Sequence, residues 1–228
     1  MKRRALLLLA LATAFAGAAR AQVPPSPGEV AAYQGLHAAA QRGDVATIAR
    51  LLQSGAAIDA TDGAGRTPLH VATFARQREA VQALLKAGAN HATLEHGRYD
   101  AVTIASVADD EATLRILLAN GASAKLVTSR YDGTALIAAA HLGHEGVVKQ
   151  LIAAGAPLDH VNNLHWTAVI ESIVLGDGGP RHQATLKALI EAGANLQLAD
   201  RSGRTPLALA RSRGYAAMVA MLEQAGAR

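Results

Sequence analysis

The sequence of 228 residues contains no cysteine, so it can form neither a disulfide bond nor a thiolate metal site. Its stability must therefore come from packing alone. Aromatic residues make up only 3% of the chain, although half of its residues are hydrophobic. This balance favours small side chains between closely packed helices over a β-sandwich with large aromatic residues in its core. The composition predicts an all-α protein with a substantial hydrophobic core.

The apolar run over residues 5–19 is shorter than the roughly 20 residues that a membrane-spanning helix needs. Basic residues, Met1-Lys-Arg-Arg4, precede this run, and Ala19-Arg20-Ala21 follows it with the small-x-small pattern of a signal-peptidase site. We therefore predict a signal peptide over residues 1–21, cleaved after Ala21. General secretion is favoured, and the Arg3-Arg4 pair leaves twin-arginine export as the alternative route. The mature protein is expected to be periplasmic or secreted and not inserted in a membrane.

The mature chain also lacks an excess of charge of either sign. Lys2, Arg3, Arg4 and Arg20 lie in the predicted signal peptide, and without these four the 22 basic residues fall to 18, equal to the 18 acidic residues. A neutral chain with dispersed charges lacks the electrostatic footprint that binding to nucleic acid requires. We therefore exclude nucleic acid as a partner.

The sequence is rich in internal repetition. A Gly-Ala dipeptide recurs at intervals of 33, 33, 34, 38 and 33 residues, and apolar residues precede each glycine by seven and by four positions, which is helical spacing. Each glycine therefore ends a helix, where its left-handed conformation carries no steric penalty. The repeated glycines are Gly55, Gly88, Gly121, Gly155, Gly193 and Gly226.

A second signature begins another helix about twelve residues after most of these glycines. Threonine is a favourable N-cap and proline suits the first turn of a helix. The signature reads Thr67-Pro-Leu-His70, Thr134-Ala-Leu-Ile137, Thr167-Ala-Val-Ile170 and Thr205-Pro-Leu-Ala208.

The segment Asp62-Gly-Ala-Gly-Arg-Thr-Pro-Leu-His70 resembles the opening of an ankyrin repeat, and Leu84-Leu-Lys-Ala-Gly-Ala-Asn90 resembles its close. The resemblance extends over about residues 34–228. It implies an all-α ankyrin-repeat solenoid of about six stacked helix-turn-helix units with β-hairpin tips. The expected units are 34–61, an N-terminal cap, then 62–93, 94–126, 127–160, 161–198 and 199–228, a C-terminal cap, and residues 22–33 are expected to form a linker and lead-in.

Three units depart from the repeat pattern. The third has Asp100 in place of the capping threonine, and its Asp109-Asp-Glu111 turn is predicted to be a solvated acidic turn. The fourth has an extra residue between Val127 and Gly133, which should push Arg130 and Tyr131 outward. The fifth has five extra residues in the segment 176–182, which we expect to form a flexible, exposed loop that contributes to binding. Deletion of residues 177–180 should then leave the melting temperature nearly unchanged.

The nine histidines do not form a metal-binding pattern. His37 and His70 lie where ankyrin repeats place a structural hydrogen-bonding histidine, His144 lies in a turn, and the remaining six are scattered over four units. The acidic turn lacks the alternate spacing of a calcium loop. No nucleophile motif or phosphate loop is present. We therefore expect no metal ion, no cofactor and no enzymatic activity.

The resemblance implies that a partner protein binds the concave face, which is made of the hairpin tips and the first helices. Arg, Tyr and Trp are enriched at interface hot spots, although Trp166 could instead pack against the next hairpin. An apolar strip is expected from Phe74, Val107, His141, Leu142, Val174 and Leu175. The predicted protein-binding residues are Arg66, Arg98, Tyr99, Arg130, Tyr131, His165, Trp166, Val174, Leu175, Arg181, His182 and Arg204.

The sequence therefore predicts an exported, monomeric scaffold or adaptor that binds another protein. Two alternatives remain open at this point. One is a metal-binding or enzymatic protein built on a repeat scaffold, and the other is a secreted effector that binds a host protein. The residues of a groove encode shape and charge but do not name the partner.

Overall fold

The computed structural model describes residues 22–228, and the predicted signal peptide over residues 1–21 lies outside the described part. The described chain folds into helices joined by short loops, with one two-stranded hairpin. The helices are α1 (Pro27–Ala32), α2 (Gly35–Arg42), α3 (Val45–Gln53), α4 (Pro68–Phe74), α5 (Arg78–Lys86), α6 (Ala101–Val107), α7 (Glu111–Ala119), α8 (Ala135–Leu142), α9 (Glu145–Ala153), α10 (Ala168–Val174), α11 (Pro180–Glu191), α12 (Pro206–Ser212) and α13 (Ala216–Gln224), and the strands are β1 (Val127–Thr128) and β2 (Gly133–Thr134).

The helices form two layers. Each first helix of a repeat (α2, α4, α6, α8, α10 and α12) packs against the first helix of the next repeat, and the second helices (α3, α5, α7, α9, α11 and α13) pack in the same order. The core between the layers is continuous, with fully buried leucines that recur at the repeat spacing, namely Leu84, Leu117, Leu151 and Leu189. The predicted ankyrin-repeat solenoid is therefore confirmed.

The ends of the helices follow the predicted local rules. Thr67 caps α4 by accepting a hydrogen bond from the His70 backbone N–H, and Pro68 occupies the first turn. Asp100 caps α6 in the same way, as its position predicted. After α5, Gly88 has a φ of +92°, a left-handed conformation in which a side chain with Cβ would be strained.

The lead-in is not simply a linker. Residues 27–32 form α1, which Ser26 caps through a reciprocal arrangement with Glu29. The Tyr33 hydroxyl donates a 2.7 Å hydrogen bond to Asp62, and Glu29 pairs with Arg66. These contacts fasten the lead-in to the hairpin tip of the second repeat. Proline at position 27 therefore begins a helix instead of continuing an extended segment.

Two expectations about loops were wrong. The turn 109–111 is not simply solvated, because Asp110 is buried, caps α7 and pairs with Arg78. The insertion of the fifth repeat is only partly a loop, because α11 begins at Pro180 and takes up residues 180–182. The loop that remains, residues 176–179, is fastened to the residue before α13 by a 2.9 Å hydrogen bond from the Tyr215 hydroxyl to the Gly176 carbonyl oxygen.

Candidate functional site

The hairpin tips share one hydrogen-bonding arrangement. The polar residue that begins a tip accepts backbone N–H groups from the residues two and four positions later, which closes the turn. Asp62, Glu95, Asn162 and Asp200 do this in the second, third, fifth and sixth repeats. The residue four positions after each of them therefore has a fixed location at the tip.

Arginine at this location braces the tip. Arg66 Nε lies 2.7 Å from Asp62 Oδ2, and Arg204 forms the corresponding pair with Asp200. Arg66 also pairs with Glu29 of α1 and is only 2% exposed. The prediction that Arg66 lies at an accessible tip is therefore wrong, since α1 covers it. Burial opposes ionisation of Asp62, but the hydrogen bonds from Tyr33 and Arg66 outweigh it and lower its pKa to about 2.

Aromatic residues replace this arginine in the third and fifth repeats. Tyr99 follows Glu95 by four positions, and Trp166 follows Asn162 by four positions. The fourth repeat presents Tyr131 from the hairpin of β1 and β2, in which Val127 pairs with Thr134. All three aromatic side chains line one cavity of about 540 Å³.

This cavity, which we call the concave groove, lies between the tips and the first helices of the third to fifth repeats. Its lining is mainly apolar. Besides the three aromatic residues, its lining includes Val107 of α6, His141 and Leu142 of α8, Glu171 of α10, Leu175 after α10, Asn162 and Gln22. An apolar concavity with a few polar groups is the usual form of a binding site.

Glu171 is the unexpected member of the concave groove. Its residue is only 6% exposed, and burial raises its pKa to about 7, opposed by a 2.8 Å hydrogen bond that Asn162 Nδ2 donates to Glu171 Oε1. His141 Nδ1 lies 3.7 Å from Glu171 Oε2. Burial and the neighbouring His182 and His144 lower the pKa of His141.

Sequence reasoning missed Glu171, although an internal comparison of the repeats reveals it. Glu171 is the fourth residue after the capping Thr167, and the equivalent residues of the other repeats are all apolar. These equivalents are Ala38, Val71, Ile104, Ala138 and Leu209. A carboxylate at a position that the rest of the solenoid reserves for apolar packing is therefore particular to the fifth repeat.

The structure brings together four of the predicted binding residues in the concave groove, namely Tyr99, Tyr131, Trp166 and Leu175. Of the predicted apolar strip, Val107, His141 and Leu142 also line it, whereas Phe74 does not. Val174 packs against the core. Trp166 also packs against the hydrophobic core.

The remaining predicted binding residues lie outside the concave groove. Arg98 pairs with Asp132 of the next tip at 3.1 Å, and Arg130 is exposed at the tip of the fourth repeat. His165 is exposed in a left-handed turn, and Arg204 braces its own tip. The last two members of the predicted set, Arg181 and His182, lie on α11.

The side chains of Arg181 and His182 both have partners within the solenoid. Arg181 lies 3.3 Å from Asp109. His182 Nδ1 lies 2.9 Å from Asp177 Oδ1, and its Nε2 lies 2.9 Å from the His141 carbonyl oxygen. His182 is therefore a connector between α11 and α8, and the expectation that it projects from an exposed loop is wrong.

The histidines predicted to be structural are confirmed as such. His37 Nε2 contacts the Arg66 carbonyl oxygen, His70 Nε2 contacts that of Thr93, and His144 Nδ1 contacts that of Ser106, at 2.9–3.0 Å. Burial lowers the pKa of His70 to about 4, which keeps its ring neutral. Within residues 22–228, no three His, Asp or Glu side chains are grouped so as to hold a metal ion.

Over the same residues, no helix is both long enough and apolar enough to cross a membrane. The helices of the solenoid are short, and the longest, α11, has 12 residues.

Two family models for ankyrin repeats match the chain, one describing many copies over residues 36–85 and one describing three copies over residues 101–199. The chain belongs to the ankyrin repeat family. The ankyrin repeat protein YahD of Escherichia coli (strain K12) is 37% identical over 190 residues, which cover 83% of this chain and 94% of YahD. Ankyrin repeat domains are typically scaffolds for protein–protein interaction, and the family is generally non-enzymatic.

A solved ankyrin repeat domain of Acinetobacter baumannii AYE is 43% identical and superposes with a TM-score of 0.80, covering 85% of this chain and 98% of that domain. The human ankyrin repeat and SOCS box protein 16 is 31% identical over 194 residues, but this chain spans only 42% of its length. The similarity to these proteins therefore concerns the repeat domain.

Proposed function

We propose that this ankyrin repeat protein is an exported scaffold that binds a partner protein in the concave groove. One observation carries the proposal. Tyr99 and Trp166 occupy the tip position at which arginine braces the second and sixth repeats, and Tyr131 lies at the tip of the repeat between them. All three aromatic residues line one apolar cavity. Aromatic side chains in an apolar concavity are the residues on which interface binding energy concentrates.

The exposed apolar residues of the concave groove support the same function. Tyr131 is 36% exposed and Leu175 is 43% exposed, and they line the groove from the fourth tip and from the end of α10. Neither side chain closes a turn or caps a helix, so a partner that covers them gains hydrophobic burial without disturbing the solenoid.

The export part of the proposal rests on the sequence of residues 1–21. A basic start, an apolar run and the Ala19-Arg20-Ala21 motif together have the form of a cleavable signal. The absence of cysteine suits a protein that functions in an oxidising compartment without disulfide bonds. Cell fractionation followed by mass spectrometry should find the chain outside the cytoplasm with Gln22 as its first residue. A full-length cytoplasmic chain would contradict export.

The binding part is tested by affinity capture from the envelope of the native cells with a Tyr131→Ala, Leu175→Ala double variant. A matched control is Val45→Ala, Leu94→Ala, which removes apolar side chains of similar exposure, 38% and 37%, that do not line the groove. We expect the partner to be lost or reduced about tenfold only with the groove variant. Equal capture by both variants would refute a partner site in the concave groove.

A further inference from the structure

Glu171 has a structural role that uses only one of its two oxygens. Oε1 accepts the hydrogen bond from Asn162 Nδ2. Asn162 in turn accepts the backbone N–H groups of Leu164 and Trp166, so this bond connects α10 to the tip that presents Trp166. A glutamine would serve the same purpose, because its side-chain oxygen can accept the same bond.

The second oxygen, Oε2, remains available to the concave groove. Among residues 22–228, no donor lies within hydrogen-bond distance of it, and His141 Nδ1 is 3.7 Å away. The described lining of the groove contains neither lysine nor arginine. A carboxylate that is more than nine-tenths buried therefore faces an apolar cavity whose lining offers no lysine or arginine side chain to balance its charge.

We propose that the concave groove takes a lysine or arginine side chain of the partner protein, with Glu171 as its counter-ion and Tyr99, Tyr131 and Trp166 around its alkyl stem and charged end. This inference rests on the proposed function, since it specifies which side chain the partner inserts.

The chemistry of the groove matches such a side chain in two ways. The methylene stem of lysine or arginine can pack on the apolar lining while the charged end reaches Glu171 Oε2. The faces of tyrosine and tryptophan attract cations, most strongly when water is excluded. An acidic side chain would meet a like charge, and a purely apolar one would leave the buried oxygen without a donor.

Proton release gives this pairing a signature that packing alone would not give. Glu171 is about half protonated near pH 7, and a cation beside it favours the ionised form, so binding at pH 6.5 should release a proton. The other charged or titratable groups on the helices packed against α10 are His141 of α8, Arg181, His182, Lys187 and Glu191 of α11, and Arg211 of α12. Arg181 pairs with Asp109, His182 with Asp177, Lys187 with Glu191, and Arg211 with Glu223.

The test uses three blocked pentapeptides, acetyl-Ala-Ala-X-Ala-Ala-amide, in which X is lysine, arginine or the uncharged norleucine. Trp166 is the only tryptophan of the chain and lines the groove, so its fluorescence reports occupancy directly. We expect the lysine or arginine peptide to bind at least about tenfold more tightly than the norleucine peptide. Calorimetry at pH 6.5 in two buffers of different ionisation enthalpy should show the released proton.

The matched variant is Glu171→Gln, which keeps the bond to Asn162 and removes the charge. It should fold, as judged by circular dichroism, and should lose both the preference for the basic peptides and the proton release. Equal binding of the norleucine peptide, an unchanged preference in Glu171→Gln, or no saturable response to either basic peptide at about 10 mM would overturn the proposal.

These outcomes also separate the inference from the proposed function. If the basic peptides are preferred but the groove double variant still captures every partner, the cation site stands and the scaffold function at this groove fails. If the groove variant loses its partner while Glu171→Gln keeps the partner and the unsubstituted chain shows no preference for the basic peptides, the scaffold function stands and the cation site fails.

Discussion

Asn162 Nδ2 donates a 2.8 Å hydrogen bond to Glu171 Oε1, and this bond joins the hairpin tip of the fifth repeat to its own first helix. Because Asn162 also closes the turn that precedes Trp166, the position of the tryptophan depends on the bond between Asn162 and Glu171 of α10. The fifth tip and α10 are therefore one hydrogen-bonded unit.

This unit should respond to the removal of Asn162. Asn162→Ala leaves the N–H groups of Leu164 and Trp166 and Glu171 Oε1 without their partner, so we expect a loss of roughly 2 to 3 kcal/mol in the free energy of unfolding. The emission of Trp166 should shift to longer wavelength as the tip opens to water. Urea denaturation followed by fluorescence measures both effects. An unchanged spectrum with unchanged stability would show that the tip does not depend on Asn162.

Glu171 should make stability depend on pH in the neutral range. Burial raises its pKa from 4.5 to about 7, so the folded state binds a proton that the unfolded state has already lost between these values. Its contribution to stability is thus fully present below about pH 4.5 and is lost as the pH rises through 7. Relative to Glu171→Gln, the native chain should lose roughly 2 to 3 kcal/mol between pH 5 and pH 8.

Denaturant titrations of the two chains at pH 5, 6, 7 and 8 measure this difference. Comparison with Glu171→Gln cancels the titration of groups common to both chains, including His70, whose lowered pKa acts mainly below the neutral range. Parallel stability curves for the two chains across this range would contradict a raised pKa at Glu171.

The two tip arginines should differ in their contribution to stability. Arg66 is buried between Asp62 and Glu29, whereas the side chain of Arg204 is 56% exposed beside Asp200. Arg66→Ala leaves a buried carboxylate without its cation and should cost about 2 to 4 kcal/mol. Arg204→Ala should cost no more than about 1 kcal/mol. The free energy of unfolding in urea measures each, and equal losses would contradict the role assigned to α1 in covering Arg66.

Sequence reasoning predicted the elements that local rules determine. The glycine after each second helix, the capping Thr67 and Asp100, and the hydrogen-bonding His70 all depend on residues within one repeat or its neighbour. Arg66 was misjudged because its environment is set by Glu29, 37 positions earlier, on a helix that the proline-rich lead-in did not suggest. Glu171 could have been found by comparing the repeats with one another, but its pairing with Asn162 could not.

The inserted segment illustrates the same limit. Its extra length was visible in the spacing of the repeats, yet its fate depends on packing between repeats. Pro180 begins α11 early, and Tyr215 and Gln183 bind the carbonyl oxygens of Gly176 and Gly178. Deletion of residues 177–180 should therefore lower the melting temperature, contrary to the expectation from sequence, because it removes the Asp177–His182 contact and the start of α11.

Gly176 gives a sharper test of how tightly this segment is held. A Cβ at position 176 would overlap with the Ser172 carbonyl oxygen and the His182 ring, so Gly176→Ala should destabilise the chain by about 1 to 3 kcal/mol. Gly63→Ala is the matched control, because a Cβ there meets no atom within 4 Å. The control should change stability by no more than about 0.5 kcal/mol. Thermal melting of both variants measures this difference. Equal melting temperatures would show that segment 176–179 accommodates the added methyl group and is the flexible loop that the sequence first suggested.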